Sequence, residues 1–150
     1  MSTSRRAFIA VMGATSIVPW LKAQATPAEA TQAIKKILGN AQPRMGRVNL
    51  EISPLVENGN LVPMSVSVDS PMTATDFVKA IHVIAEGNPL PNIVSFYFGA
   101  RAGRAQVATR IRLQTSQRLW AVAEMSDGSF WQGSAEVLVT LAACTEEVLV

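Results

Sequence analysis

Hydrophobic and polar residues alternate along most of the chain between residue 48 and residue 141. Alternation with a period of two predicts strands that bury one face and expose the other. The clearest alternating runs cover residues 48–52, 62–68, 107–113 and 119–125. Turn-forming sequences separate them, as ENGN at 57–60, DSP at 69–71 and SDGS at 126–129. We therefore expect short strands joined by tight turns.

Three further segments complete this mainly β pattern. The stretch FVKAIHVIAE at 77–86 fits a helix or a strand by spacing, but its β-branched residues and the following GNPLPN favour a strand. A strand over IVSFYF at 93–98 precedes a loop bracketed by Gly99 and Gly103, and a last strand runs from about residue 135 to residue 141. About seven short strands at this spacing predict an immunoglobulin-like β-sandwich.

One α-helix is expected before the strands. Thr26 fits the N-cap, Pro27 fits the first helical position, and Glu29 fits the third position of a capping box. Apolar residues then recur at helical spacing as far as Leu38, and Gly39 follows them. We expect a helix of about three turns that opens a domain spanning residues 26–141.

The first 25 residues have the layout of a bacterial export signal. Arg5 and Arg6 precede an apolar run that ends near Leu21, and the small-x-small sequence AQA follows at 23–25. The run is too short for a membrane-spanning helix. The sequence SRRAFI is typical of a twin-arginine signal, although an ordinary secretory signal with two arginines fits the same layout. We expect cleavage after Ala25 and a mature protein in the periplasm.

Loss of this signal changes the charge of the chain. The full sequence has 13 Lys and Arg against 11 Asp and Glu, a formal charge of +2. The signal contains Arg5, Arg6 and Lys22 but no acidic residue, which leaves 10 basic and 11 acidic residues and a formal charge of −1. The basic isoelectric point therefore belongs to the precursor and does not indicate nucleic-acid binding.

The single cysteine, Cys144, lies near the C-terminal end in the sequence VLVTLAACTEEVLV. One cysteine cannot form an internal disulfide, so in an exported protein it indicates a bond to another molecule or a free reactive thiol. A buried, unreactive cysteine is the alternative, but chain ends are usually exposed and mobile. A thiol on a C-terminal arm of residues 142–150 suits a group that is carried covalently.

His82 is the single histidine, and no cluster of cysteine or acidic residues lies near it in the sequence. Metal sites need several such ligands, so a structural role is favoured over a metal site. An enzyme that uses His82 with Cys144 is a further hypothesis, since the two residues need only meet in space. The sequence has no nucleophile elbow, phosphate-binding loop or metalloprotease motif.

Two other groups of residues have alternative interpretations. Four arginines around one predicted loop and strand fit a solvated strand face or a surface for an anionic partner, and they are Arg101, Arg104, Arg110 and Arg112. Three aromatic residues are expected in the core or at an interface rather than in a ligand site, and they are Trp120, Phe130 and Trp131.

Four stretches carry a family resemblance: GRVNLEISPLVENGNLVPMSVSVDSPM, VKAIHVIAEGNPLPNIVSFYFG, ATRIRLQTSQRLWAVAEMSDGSFW and VLVTLAAC. Together they resemble the SoxY family, the sulfur carriers of the bacterial thiosulfate-oxidising complex. The resemblance implies an immunoglobulin-like subunit that binds no cofactor and pairs with a SoxZ-like protein. It also implies three further partners: a c-type cytochrome that loads the thiol, a manganese-dependent hydrolase that releases sulfate, and a sulfane dehydrogenase. By its place in the last stretch, Cys144 matches the cysteine that holds thiosulfate and its oxidation products.

The residues around Cys144 differ from the Gly-Gly-Cys-Gly-Gly ending that is usual in this family. Ala142 and Ala143 precede the cysteine, and alanine restricts the backbone more than glycine does. Glu146 and Glu147 follow it, and nearby carboxylates favour the thiol over the thiolate and repel an anionic substrate. The alternative to a carrier is therefore a SoxY-like binding or assembly subunit that has lost or changed its cargo.

Overall fold

The computed structural model describes residues 26–141, which form one α-helix and nine β-strands. In chain order the elements are α1 (Pro27–Leu38), β1 (Arg44–Met45), β2 (Val48–Ile52), β3 (Leu55–Asn58), β4 (Val62–Val68), β5 (Val78–Ala85), β6 (Asn92–Tyr97), β7 (Ala105–Ile111), β8 (Gln117–Met125) and β9 (Phe130–Leu141). One sheet has the order β1-β9-β8-β5-β6, with β3 also paired to β9, and the second sheet has the order β2-β4-β7. The fold is the immunoglobulin-like β-sandwich that the sequence predicts.

The main core lies between the two sheets and follows the predicted alternation. In β4, Val62, Met64, Val66 and Val68 are buried, while the intervening residues are half-buried or exposed. Burying apolar side chains from both inner faces is the main stabilising contribution in a sandwich of this kind. The first sheet adds fully buried residues from three strands: Ile81, Val83, Leu119, Ala121, Ala123 and Val137.

Strand β5 is buried on both faces because the helix covers its outer side. Ala30 of α1 packs against Ile84 of β5 and Val122 of β8, while Ile81 on the same strand faces the main core. Burial on both faces replaces alternation with a nearly continuous apolar run. This explains why spacing alone fitted both a helix and a strand at residues 77–86. The strand favoured there is confirmed as Val78–Ala85.

The helix begins and ends where the sequence predicts. The backbone amide of Thr26 donates to Glu29 Oε2 at 2.7 Å, and the Glu29 amide donates to the Thr26 hydroxyl at 3.4 Å, which completes the capping box. Gly39 has a φ of 59° and ends the helix in a backbone conformation that favours glycine. Across residues 26–141 the structure contains no helix whose length and hydrophobicity would let it span a membrane.

The structure has two strands that the sequence did not predict. β1 and β3 are short, and both pair in parallel with β9. Parallel partners lie far apart along the chain, so no hairpin turn marks them in the sequence. The turn expected at 57–60 is only half correct, because residues 57 and 58 belong to β3 and the turn occupies 59–60. β9 also begins at residue 130 rather than near residue 135.

Gly133 of β9 permits close packing of the two sheets. A Cβ atom at this position would lie 2.6 Å from the backbone oxygen of Val48 on β2, closer than real Cβ atoms come to such an atom. The absence of a side chain therefore lets β2 pass close to β9, the strand that leads to Cys144.

Candidate functional site

The candidate thiol, Cys144, lies outside the described residues, as do residues 1–25, to which the export signal is assigned. The structure instead defines the end of β9 at Leu141, three residues before Cys144. We call this end of the sandwich the exit end. It consists of the last residues of β9 and the loops at 59–61, 86–91 and 112–116.

Strand β9 is held on one side as far as Val139 and on the other as far as its last residue. On one side the Val139 amide donates to the Ser116 hydroxyl at 2.9 Å. On the other side β3 pairs with β9 as far as Leu141, which lies opposite Asn58. The Thr140 hydroxyl also donates to a β3 carbonyl at 3.1 Å. Residues 142–150 therefore begin from a strand end that is paired to β3 at Leu141 and held from the other side two residues earlier.

Asn88 joins two loops of the exit end. Its Nδ2 donates to the carbonyl of Arg112 at 2.8 Å, and its Oδ1 accepts from the Gln114 amide and from Gln117 Nε2, both at 3.0 Å. Gln117 Oε1 in turn accepts from the Gly87 amide at 2.7 Å. These four hydrogen bonds fix the loop at 86–91 against the loop at 112–116 and the first residue of β8.

The loop at 112–116 also contacts the loop that follows β3. The Leu113 amide donates to the Gly59 carbonyl at 2.8 Å, and Gly59 directly follows Asn58, the partner of Leu141. Gln114 Oε1 is buried and has no hydrogen-bond partner among the described residues. The loops after β3, β5 and β7 thus form one continuous hydrogen-bonded surface beside the point where residue 142 begins.

The structure separates the four arginines into two pairs, so they do not form a single cluster. Arg101 and Arg104 lie in the loop between β6 and β7, and Arg110 and Arg112 lie at the exit end of β7. From Arg104 to Arg110 the strand rises about 20 Å. All four side chains are exposed, and none forms an ion pair with another residue between 26 and 141.

Arg110 and Arg112 line a groove of about 550 Å³ between strands β6 and β7. Its apolar lining includes Leu90, Ile93 and Val94, and Leu90 is 78% exposed. No acidic residue belongs to the described lining. We call this the arginine groove; it combines exposed apolar surface with two positive charges that no residue in the described part of the chain neutralises by an ion pair.

A second groove at the exit end has the opposite charge balance. It measures about 610 Å³ and is lined by Glu86, Arg118, Glu136 and Leu138 together with uncharged residues. Arg118 forms an ion pair with Glu136, which leaves the carboxylate of Glu86 in excess. Leu138 is 62% exposed and lies opposite Leu55, itself 56% exposed, so an apolar patch borders this groove.

His82 lies on the outer face of β5, away from the main core. Its Nδ1 is 2.8 Å from the Ser95 hydroxyl, and its ring meets Tyr97 edge to face with 6.1 Å between the ring centroids. Burial lowers the pKa of His82, and the negative charge of Glu124 opposes this shift to a smaller extent. The histidine is therefore favoured in its neutral, hydrogen-bonded form, as the predicted structural role requires.

The distance from His82 to the exit end is large. His82 lies opposite Val122 of β8, which in turn lies opposite Gln132 of β9. Gln132 comes nine residues before Leu141, a distance of about 30 Å along the strand. The three residues from Leu141 to Cys144 span only about 10 Å. A Cys144–His82 pair would require the end of β9 to detach from its neighbours, so the described geometry gives it no support.

The aromatic residues pack against the two cores, as expected. Trp131 packs against the main core, and the guanidinium carbons of Arg44 and Arg47 lie 5.8 and 4.8 Å from its ring centroid. Trp120 and Phe130 pack against the smaller core beneath α1. The two arginine stacks were not predicted, because Trp131 and the arginines are more than eighty residues apart in the sequence.

Within residues 26–141, no three His, Cys, Asp or Glu side chains are grouped so that they could hold a metal ion.

The sequence matches the family described as "Sulfur oxidation protein SoxY" over residues 34–144, which is more than two thirds of the chain. The matched segment ends at Cys144. None of the curated proteins matches the chain.

Solved structures share the fold at low sequence identity. The sulfur carrier protein SoxY from Chlorobium limicola f thiosulfatophilum matches with a TM-score of 0.65 and 22% identity, covering 77% of this chain and 100% of that chain. The superoxide reductase (neelaredoxin) from Ignicoccus hospitalis matches with a TM-score of 0.56 and 20% identity over 63% of this chain and 80% of that chain. The superoxide reductase from Nanoarchaeum equitans matches with a TM-score of 0.54 and 14% identity, covering 64% of this chain and 100% of that chain. Proteins with different functions share this fold, so the structural likeness shows the fold alone.

Proposed function

This chain belongs to the SoxY family of sulfur oxidation proteins, and we propose that it is a periplasmic covalent sulfur carrier that holds sulfur intermediates on Cys144. The observation that carries this proposal is the family match, which extends over the sandwich and includes Cys144 at its end. Enzymes act on the carried group, and the carrier itself is not an enzyme.

The fixed end of β9 supports this role. A carrier thiol has to visit several partner enzymes, and a short arm on a rigid base keeps the thiol within a limited distance of the body. The pairing of Leu141 with Asn58 supplies such a base at the start of residues 142–150. The thiol itself needs only nucleophilicity, which the thiolate form provides.

Loading of thiosulfate on Cys144 is an oxidation. A bond forms between Cys144 Sγ and the outer sulfur of thiosulfate, the thiol proton is released, and two electrons leave. The c-type cytochrome of the system accepts these electrons. Hydrolysis by the manganese-dependent enzyme then adds water and releases sulfate, which leaves a sulfur atom on the cysteine, and the sulfane dehydrogenase oxidises that atom further.

Export and partner binding complete the proposal. We infer that residues 1–25 act as a twin-arginine signal, so that the mature protein begins at Thr26 in the periplasm and pairs with a SoxZ-like subunit. N-terminal sequencing of the exported protein tests the cleavage site, and a protein that still begins at Met1 would contradict it.

The decisive experiment is an intact mass measurement of the mature protein with its SoxZ-like partner, after exposure to thiosulfate and the loading cytochrome. We expect a thiosulfate adduct on the wild type and none on Cys144→Ser. Wild type and variant should form the heterodimer equally well, because the substitution lies outside the sandwich. An unmodified, reduced thiol in an intact heterodimer would refute the carrier proposal.

That last result would favour the alternative, a binding or assembly subunit with altered cargo. The observation behind it is the arm itself, in which Ala142, Ala143, Thr145 and Glu146 stand where the family usually has glycines. In this case the heterodimer forms, and the sulfur chemistry takes place on another protein.

A further inference from the structure

We propose that residues 146–150, the segment EEVLV, dock in the arginine groove and hold the arm against the body of the protein. The segment begins two residues after Cys144, so its docking would restrain the thiol at the exit end. The effect of docking on the Cys144 thiol matters only if that thiol is a carrier, so this part of the inference rests on the proposed function. The docking itself can be tested without any sulfur chemistry.

The first argument is charge complementarity. Glu146 and Glu147 are adjacent carboxylates, and Arg110 and Arg112 are exposed cations with no ion-pair partner among residues 26–141. Glu51 lines the adjoining groove on the second sheet together with Arg110, but the two side chains form no ion pair. The two arginines therefore remain available to an acidic segment.

The second argument is the apolar surface beside these arginines. Val148, Leu149 and Val150 directly follow the two glutamates, and the arginine groove places Leu90, Ile93 and Val94 beside its cations. An exposed leucine is common by itself. The groove combines this leucine with two arginines that have no ion-pair partner within residues 26–141. This combination suits a segment in which an acidic pair is followed by three apolar residues.

The third argument is reach. Leu141 lies opposite Asn58, Asn58 precedes Gly59, and the Gly59 carbonyl binds the Leu113 amide, which follows Arg112. Adding strand spacings and Cα steps along this route gives at most about 18 Å from Leu141 to Arg112. Five extended residues, from 142 to 146, span about 17 Å. With its side chain, Glu146 can therefore reach Arg112.

The edge of β7 supplies a further means of binding. Among the described strands, β7 pairs only with β4, so its other edge presents unpaired backbone groups. β7 runs towards the exit end and the tail leaves from it, so a docked tail would lie antiparallel to β7. The β-branched residues of the tail suit such strand addition.

The other groove at the exit end is a poorer choice for this segment. It has the apolar patch of Leu55 and Leu138, but its lining has one more carboxylate than cation, because Arg118 pairs with Glu136 and Glu86 is held by Trp120 Nε1 at 2.7 Å. This net negative charge would repel two glutamates. Electrostatics therefore favours the arginine groove.

The first test measures exposure of the tail. A glutamate-specific endoprotease is added to the mature chain at low ionic strength, and intact mass follows cleavage after Glu146 or Glu147. We expect Arg110→Ser/Arg112→Ser to be cleaved roughly five- to tenfold faster than the wild type, as loss of two exposed ion pairs predicts. Salt at 0.5 M should bring the wild type close to the variant.

The matched control is Arg101→Ser/Arg104→Ser, which removes the same charge at the opposite end of β7. We expect its tail to be cleaved at the wild-type rate. Equal cleavage of the two double variants would overturn the proposal, because the effect would then depend on net charge and not on the groove.

A second measurement locates the contact. Amide spectra of the mature chain are compared with those of a chain that ends at Thr145. We expect shifts confined to residues 88–94 and 107–112. Shifts around Leu55 and Leu138, or none at all, would place the tail elsewhere or leave the groove free for a partner, and each result contradicts the proposal.

Failure of this inference is distinguishable from failure of the carrier proposal. A protein that accepts thiosulfate on Cys144 but has an exposed tail would refute only the docking. A protein whose tail docks but whose thiol never forms an adduct would refute only the carrier role.

Discussion

Replacement of Asn88 by alanine should loosen the exit end more than any other single polar substitution in its loops. The change removes one hydrogen bond to the Arg112 carbonyl and two from Gln114 and Gln117, with lengths of 2.8, 3.0 and 3.0 Å. Each such bond contributes about 1 kcal/mol net, and the partly buried groups left without partners add to the loss. We expect Asn88→Ala to lower the free energy of unfolding by about 2–3 kcal/mol.

The measurement is urea denaturation of the mature protein, with Asn92→Ala as the matched control. Asn92 is exposed, and the single side-chain hydrogen bond found for it is a long one of 3.4 Å to Ser95. Its replacement should cost less than about 0.5 kcal/mol. The slope of the free energy against urea should stay unchanged in both variants if only stability has altered.

A third variant separates the contribution of the Asn88 amide donor from that of its acceptor oxygen. Asn88→Asp keeps an acceptor for Gln114 and Gln117 but loses the donor to Arg112, so we expect a smaller loss of about 1 kcal/mol. If Asn88→Ala is no more destabilising than Asn92→Ala, the hydrogen bonds do not hold the two loops together and the reasoning is wrong.

Three further predictions test other parts of the structure. Gly133→Ala should lower the free energy of unfolding by about 1–3 kcal/mol, because its Cβ would lie 2.6 Å from the Val48 oxygen. The control Gly99→Ala should change this free energy little, because its Cβ would have no neighbour within 4 Å. Because the folded-state pKa of His82 is lowered, stability should fall as pH decreases through the unfolded value near 6.5, and His82→Gln should flatten this dependence in urea titrations. Thr26→Ala removes the helix cap and should cost about 1 kcal/mol by thermal denaturation, and an unchanged midpoint would contradict the capping role.

The elements that sequence analysis predicted well are those whose signals are local. Alternation of apolar residues located β2, β4 and β7, in which one face is the more buried. It also located β8, although Val122 is buried on the opposite face of that strand. The helix was located by its cap and its glycine, which act within a few residues of the chain. Strand β5 was harder, since burial on both faces removed the alternation, and only its β-branched content favoured the correct assignment.

The elements that sequence analysis missed depend on distant pairing. β1 and β3 exist because β9 is long enough to bind both in parallel, and neither short segment alternates clearly. The Asn88 network and the Arg47–Trp131 stack are similarly invisible in the sequence, because the partners are brought together by the fold. Such contacts involve sequence separations over which no local pattern operates.

The candidate site shows the same division between local and distant information. Sequence identified Cys144 and the two glutamates beside it, and from the sequence alone those carboxylates argue against a reactive thiolate and against an anionic cargo. Whether they have that effect depends on where they lie relative to the arginines, and only the fold separates Arg110 and Arg112 from Arg101 and Arg104. If the glutamates pair with the exit-end arginines, their charge is offset and the main effect of the tail is to restrain the arm. In that case salt should speed loading of Cys144 more in the wild type, where it also releases the tail, than in Arg110→Ser/Arg112→Ser, where it only screens the free glutamates. If the glutamates stay free, salt should speed loading equally in both proteins by screening their repulsion of thiosulfate.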